Sequence, residues 1–180
     1  MDKKFFFQII GLVIVILGAT ALTFNPQIIP NLGSLNPATR TATNTSVSLI
    51  QIIDPATQQI KAQVVAEIAD TKEKRGLGLG GRSALAAEAG MLFIMEQKVK
   101  PTFWMKGMLI PLDFMWIDGN TIVDILTNVP PPIAGQADSS LQLYSPVTNI
   151  DRVLEVNAGY VAAHGIKVGD VIRVVPVASQ

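Results

Sequence analysis

Apolar and polar residues divide the chain into three regimes. Residues 5–24 are almost continuously apolar, with Gln8 the one strongly polar member. Residues 25–46 carry Pro26, Pro30 and Pro37, several Asn and Thr, and few large apolar side chains after Leu35. From residue 47 onward, short apolar stretches rich in Val and Ile recur between Gly, Pro, Asn and Asp. Such stretches are too short for core-facing helices and have the composition of strands.

Residues 47–54 alternate loosely and predict a first strand, Pro55 a turn, and residues 60–69 a second, β-branched strand. Asp70 or Thr71 is placed to cap a short helix from about Lys72. Gly76, Gly78, Gly80 and Gly81 keep that helix short. Ser83 is a further candidate cap, for a turn over residues 84–89. Residues 91–95, between Gly90 and the charged stretch 96–100, predict a buried strand, and residues 102–106 a short one. The strongest local signal is Asp118-Gly119-Asn120 between the apolar runs 112–117 and 121–128, which predicts a hairpin. A long loop runs from Pro130 to about Pro146. Residues 152–157 predict a strand, residues 158–164 a short helix closed by Gly165, and residues 170–175 the last strand. Long helices do not alternate with these strands, so a doubly wound parallel sheet is not expected. The pattern predicts a mainly β domain over residues 47–176. It is a compact antiparallel barrel or sandwich of seven to eight short strands with two short helices, preceded by one N-terminal transmembrane helix.

The first 24 residues read as that membrane segment. About 20 apolar residues rising 1.5 Å each cross a hydrocarbon core of about 30 Å. Lys3 and Lys4 precede the run and the next basic residue is Arg40, which orients the N-terminus to the cytoplasm and the domain beyond the membrane. The rival reading is a cleaved signal peptide, because Ala19-Thr20-Ala21 fits the small-x-small cleavage pattern. The first reading gives a single-pass membrane protein with an extracytoplasmic C-terminal domain; the second gives a secreted or periplasmic one. Residues 25–46 read as a flexible linker, too polar to offset the entropy of ordering. As a coil they would reach roughly 25 Å from the membrane.

Composition narrows the chemistry. Lys and Arg together number 14, as do Asp and Glu, so net charge is zero. A nucleic-acid partner is therefore not expected, since such partners need a basic face. There is no cysteine and His164 is the only histidine, which excludes disulfides, thiolate chemistry and multi-histidine zinc sites within one chain. No metal or cofactor is expected.

Several strings then line up with a known family. They are Arg75-x-x-Gly78-Leu79-x-x-Arg82, Gly90-Met91-Leu92-Phe93 and Phe103-Trp104-Met105-Lys106 with Ile110-Pro111-Leu112-Asp113. Val153-Leu154-Glu155-Val156-Asn157-Ala158-Gly159 and Gly165-Ile166-Lys167-Val168-Gly169-Asp170 complete the order. It resembles the domain-of-unknown-function 192 family over about residues 64–174. The resemblance implies a compact β-rich fold, often behind a leader, and implies no reaction. The chain departs from the family's pattern at Gly107, where Asn is common, and at Gly80 and Gly81, where larger residues are usual.

The candidate site residues are few. Gly76 to Gly81 fits G-x-G-x-x-G, but a dinucleotide loop needs a strand before it and a helix after it, and neither is predicted here. Arg75 and Arg82, seven apart, form either a fork for an anion or ion pairs with Asp113 or Glu155. On a strand, Phe103 and Met105 share one face while Trp104 and Lys106 share the other, a surface that stacks on a ring and holds an anion. Asp113 and Glu155 are acids within apolar strands and the candidate catalytic pair of a glycosidase-like site. His164 sits at a predicted helix end, where a cap is expected.

Two functional readings follow. The first is a non-catalytic envelope module that binds a glycan, peptide or protein through Arg75, Arg82, Trp104 and Lys106. The second is a carboxylate-dependent hydrolase of an envelope polymer using Asp113 and Glu155. A purely structural tethered domain would instead bury Trp104 and pair every charge.

Overall fold

The computed structural model describes residues 46–176. The apolar leader and nearly all of the linker fall outside them, so the expectations for those segments lie outside the described residues. Nine strands, two short α-helices and one 3-10 turn follow in sequence. The strands are β1 (Val47–Ile53), β2 (Ile60–Ala69), β3 (Ala89–Val99), β4 (Phe103–Trp104), β5 (Leu112–Asp118), β6 (Thr121–Val129), β7 (Leu143–Tyr144), β8 (Ile150–Asn157) and β9 (Val171–Pro176). Helix α1 spans Lys72–Leu77 and α2 spans Tyr160–Ala163.

Seven strands close into a barrel in the order β1-β2-β3-β8-β5-β6-β9, and β4 pairs with β7 as a separate two-stranded layer. All neighbours run antiparallel except β2 and β3, which are parallel. That pair requires a crossover, and the segment from α1 to Glu88 supplies it. Between β6 and β9 the seam is short. Thr121 faces Val171, and backbone bonds Ile122 N–H to Asp170 O (2.9 Å) and Ile172 N–H to Asn120 O (2.7 Å) hold it.

Strand β5 explains the layering. Met115 and Ile117 belong to the cluster inside the barrel, with Ile50, Ile52, Leu92, Leu154 and Ile172. Leu112, Phe114 and Trp116 belong to a second cluster on its outer face, with Phe93, Met105, Met108 and Val153. Both faces of β5 are covered, which is why it reads as a continuous apolar run instead of an alternation. The β4–β7 layer roofs the outer cluster. Phe103 meets Phe93 (5.2 Å between centroids) and Trp116 (5.3 Å) edge-on. Such pairs add about 0.5–1.5 kcal/mol each beyond area burial. Helix α2 closes the inner cluster with Tyr160 and Val161, followed by Ile166.

The hairpin at Asp118–Asn120, the strand β2, the Thr71 cap and the α2 helix fall where the sequence predicts them. Residues 87–88 form a turn, closed by a bond from Ala89 N–H to Ala86 O (2.9 Å). Two expectations are revised. Strand β3 runs on through the charged stretch to Val99, because Glu96, Gln97 and Lys98 face solvent beyond a register irregularity against β8. The long loop contains β7, whose two residues carry little periodicity but find β4 as a partner.

Candidate functional site

Helix α1 starts where the Thr71 hydroxyl accepts a hydrogen bond from Lys74 N–H (3.2 Å). It ends at Gly78, whose N–H bonds to Lys74 O (2.9 Å). The following glycine-rich backbone is tied to the turn after β4 by a bond from Gly81 N–H to Gly107 O (2.8 Å). Between α1 with its glycines and the stretch Pro101–Lys106 lies a pocket of about 310 Å³. Gly107 has φ +70°. Glycine and asparagine are the residues that adopt this conformation most readily, so either suits this turn.

Four of the six sequence-predicted residues line this one pocket: Arg75, Trp104, Lys106 and Glu155. Trp104 is half exposed, and Lys106 Nζ lies 5.3 Å from its ring centroid while pairing with Asp138 (2.6 Å). Phe103 and Met105 turn into the outer cluster as expected of the opposite face. Arg75 is held by Asp70 O and Ile94 O (2.9 Å each) and by Glu96 (3.2 Å), which fastens α1 to β3. Its charge stays at the pocket while its donors are engaged. Lys72 also lines the pocket and forms no ion pair among the described residues. Sequence reasoning missed it, although its position three before Arg75 puts both on one helical face.

The other two residues are elsewhere. Arg82 does not form a fork with Arg75 and does not meet Asp113 or Glu155. Its guanidinium makes a two-pronged pair with Glu67 on β2, with Nη2 to Oε2 at 2.8 Å. This bond holds the Glu67 carboxyl below the usual carboxylate range. Asp113 is fully buried and its carboxylate accepts from Asn128 N–H (2.8 Å) and Val161 N–H (3.0 Å). It secures the end of β6, where Asn128 is left-handed at φ +54°, and the first turn of α2. Cross-strand register separates it from Glu155. Asp113 lies opposite Val156, an inner residue, whereas Glu155 lies opposite Phe114, an outer one. The two acids thus belong to opposite faces of the sheet, and the paired-carboxylate site is not formed. His164 ends α2 as expected, its Nδ1 2.9 Å from Tyr160 O.

Glu155 is the unusual group. It is 5% exposed, at the pocket's floor, between Met91 and Phe114 as cross-strand neighbours. No hydrogen bond or ion pair among the described residues engages its carboxyl. Burial without such compensation pushes its pKa up to about 8. At neutral pH the pocket is lined by three cations and one protonated acid.

The family model DUF192, described as Uncharacterized ACR, matches residues 53–174. The chain belongs to the DUF192 family. Among solved structures, a Sinorhizobium meliloti protein described only provisionally as a transcription regulator is 27% identical, with TM-score 0.64. The match covers 72% of this chain and 95% of that one. A Novosphingobium aromaticivorans protein of unknown function is 24% identical, with TM-score 0.63, covering 73% of this chain and 88% of that one, which shows the fold alone. No curated protein matches the chain. The family strings map onto the barrel's working parts: the FWMK string onto β4 and the pocket rim, and the GIKVGD string onto the turn before β9. There Asp170 accepts from Lys61 Nζ (2.7 Å) and Lys167 N–H (2.8 Å).

Proposed function

We propose that this DUF192 domain is a non-catalytic ligand-binding module, held at or beyond a membrane by its apolar leader. Its pocket takes a compact anionic portion of a glycan, peptide or protein. The observation that carries this reading is the gathering of Lys72, Arg75, Trp104 and Lys106 around one solvent-reached pocket with apolar walls. A half-exposed indole beside a lysine suits a ring that carries negative charge. The absence of a second acid in the pocket argues against the two-carboxylate hydrolase. The regulator description of the Sinorhizobium relative does not transfer readily to a chain of zero net charge.

The test is a titration of the full-length chain with uronic-acid disaccharides and short peptides ending in an aromatic residue. Trp104 emission is the readout, and Trp116, fully buried, is the internal reference. Binding that Lys106→Ala abolishes in this readout, and that calorimetry shows to be lost in Trp104→Ala, supports the reading. If millimolar additions of every probe leave Trp104 unchanged, the pocket is not a site for such ligands. For the leader, mass spectrometry of the mature chain decides between anchor and signal peptide: loss of about 21 residues refutes the anchor.

A further inference from the structure

The rim of the pocket is explained by attraction for anions, but its floor is not. Glu155 is nine-tenths buried or more, lines the cavity, and has no bonding partner among the described residues. A carboxyl held this deep that meets the open cavity and no protein partner is placed to bond to something that enters. The walls above it are apolar, from Phe93, Met95 and Met108. The charged groups around it are Lys72 and Arg75 from α1 and Lys106 from the turn after β4. The packed strands offer Met91 and Phe93 from β3 and Phe114 from β5, none of them titratable. Arg75 is occupied by Glu96, and Lys106 leans on Trp104 and Asp138. The cations therefore serve the mouth, and the floor holds a carboxyl that keeps its proton and acts as a donor.

We propose that the pocket takes small organic anions end-on, with the anionic group at the rim beside Lys72 and Lys106 and an uncharged oxygen acceptor at the inner end bonded to the Glu155 carboxyl. The inference deepens the binding-module reading and rests on it. It assigns the ligand two ends of different chemistry joined by an apolar body. It also assigns a direction of titration: ionised Glu155 has no proton to donate and repels an acceptor oxygen. Ligand is held below the pKa of about 8 and released above it.

The probe is 4-acetylbenzoate, which has a carboxylate at one end, a ketone at the other and a ring between. Its comparator is 4-isopropylbenzoate, nearly the same shape without the acceptor. Binding to the full-length chain is measured by calorimetry and by Trp104 emission at pH 6.5 and pH 9. We expect the ketone to bind about tenfold tighter than the comparator at pH 6.5 and to weaken about tenfold by pH 9, as the protonated fraction falls. Glu155→Gln, which keeps a donor but cannot ionise, should bind the ketone equally at both pH values. Equal binding of the two probes to the wild-type chain, or pH dependence that persists in Glu155→Gln, overturns this inference while leaving the pocket a binding site. Failure of both probes to bind at either pH overturns it together with the reading on which it rests.

Discussion

Replacing Glu155 by glutamine removes a proton equilibrium from the interior of the domain, and the effect on stability can be worked through. The carboxyl ordinarily titrates at 4.5 and in the folded chain at about 8. Below pH 4.5 both folded and unfolded chains hold the proton, so the acid carries no penalty. Between pH 4.5 and about 8 the unfolded chain has released it and the folded chain has not. The folded state then binds more protons, and stability falls as pH rises. Above about 8 both states are ionised and the loss levels off. The window spans about 3.5 pH units at about 1.4 kcal/mol each, which comes to about 5 kcal/mol. That is comparable with the whole stability of a modest domain. Urea unfolding of wild type and Glu155→Gln, followed through Trp116, should be compared from pH 4.5 to 9. The difference in unfolding free energy should grow in favour of glutamine by about 1.4 kcal/mol per pH unit and then flatten near pH 8. Glu67, Asp54, Asp70 and Glu73, whose pKa values are lowered, are common to both chains and cancel. A difference that stays within about 0.5 kcal/mol across the whole range would refute the buried, protonated acid.

Three further outcomes test the surrounding structure. Asp113→Ala leaves the Asn128 and Val161 N–H groups unpaired and should cost about 3 kcal/mol in thermal or urea unfolding, with pocket binding retained in the folded fraction. Gly90→Ala places a Cβ 2.6 Å from Glu155 O and 2.8 Å from Val64 Cγ1, so it should destabilise by about 3 kcal/mol, visible as a lower Tm. Arg82→Met breaks the partly exposed pair with Glu67 and should cost about 1 kcal/mol at pH 7. The Glu67 pKa is lowered, so this contribution is whole above pH 4.5 and fades as pH falls through the folded value; a cost that persists at pH 2 would contradict the pairing.

Much of the barrel was legible because its signals are local. Asp118-Gly119-Asn120 fixes its own hairpin, Thr71 caps its own helix, and β2 announces itself by β-branched composition. The family strings marked Trp104, Lys106 and Glu155 as residues of interest before their proximity was known. What stayed hidden depends on partners distant in sequence. Strand β7 exists because Leu143 and Tyr144 meet Trp104 and Phe103 about 40 residues earlier. Arg82 was expected to meet Asp113 or Glu155 and instead pairs with Glu67, which alternation alone could not reveal. The two acids that looked equivalent in sequence differ because one faces backbone N–H groups at α2 and the other an apolar pocket. That difference follows from which face of the sheet each occupies, a matter of register across three strands.

The seam between β6 and β9 has a consequence for how the chain comes together. The cylinder cannot be completed until the last strand, ending at Pro176, lies against both β1 and the start of β6. Contacts between the first and last parts of a sequence are slow to form, since the longest loop must be closed before they reward it. A chain interrupted before Asp170 would leave the backbone edges of β1 and β6 open, an invitation to pair with other molecules. Synthesis of this polypeptide therefore keeps a sticky, unfinished sheet until β9 has been made, and products that stop short of it should accumulate as aggregates, not as smaller folded domains.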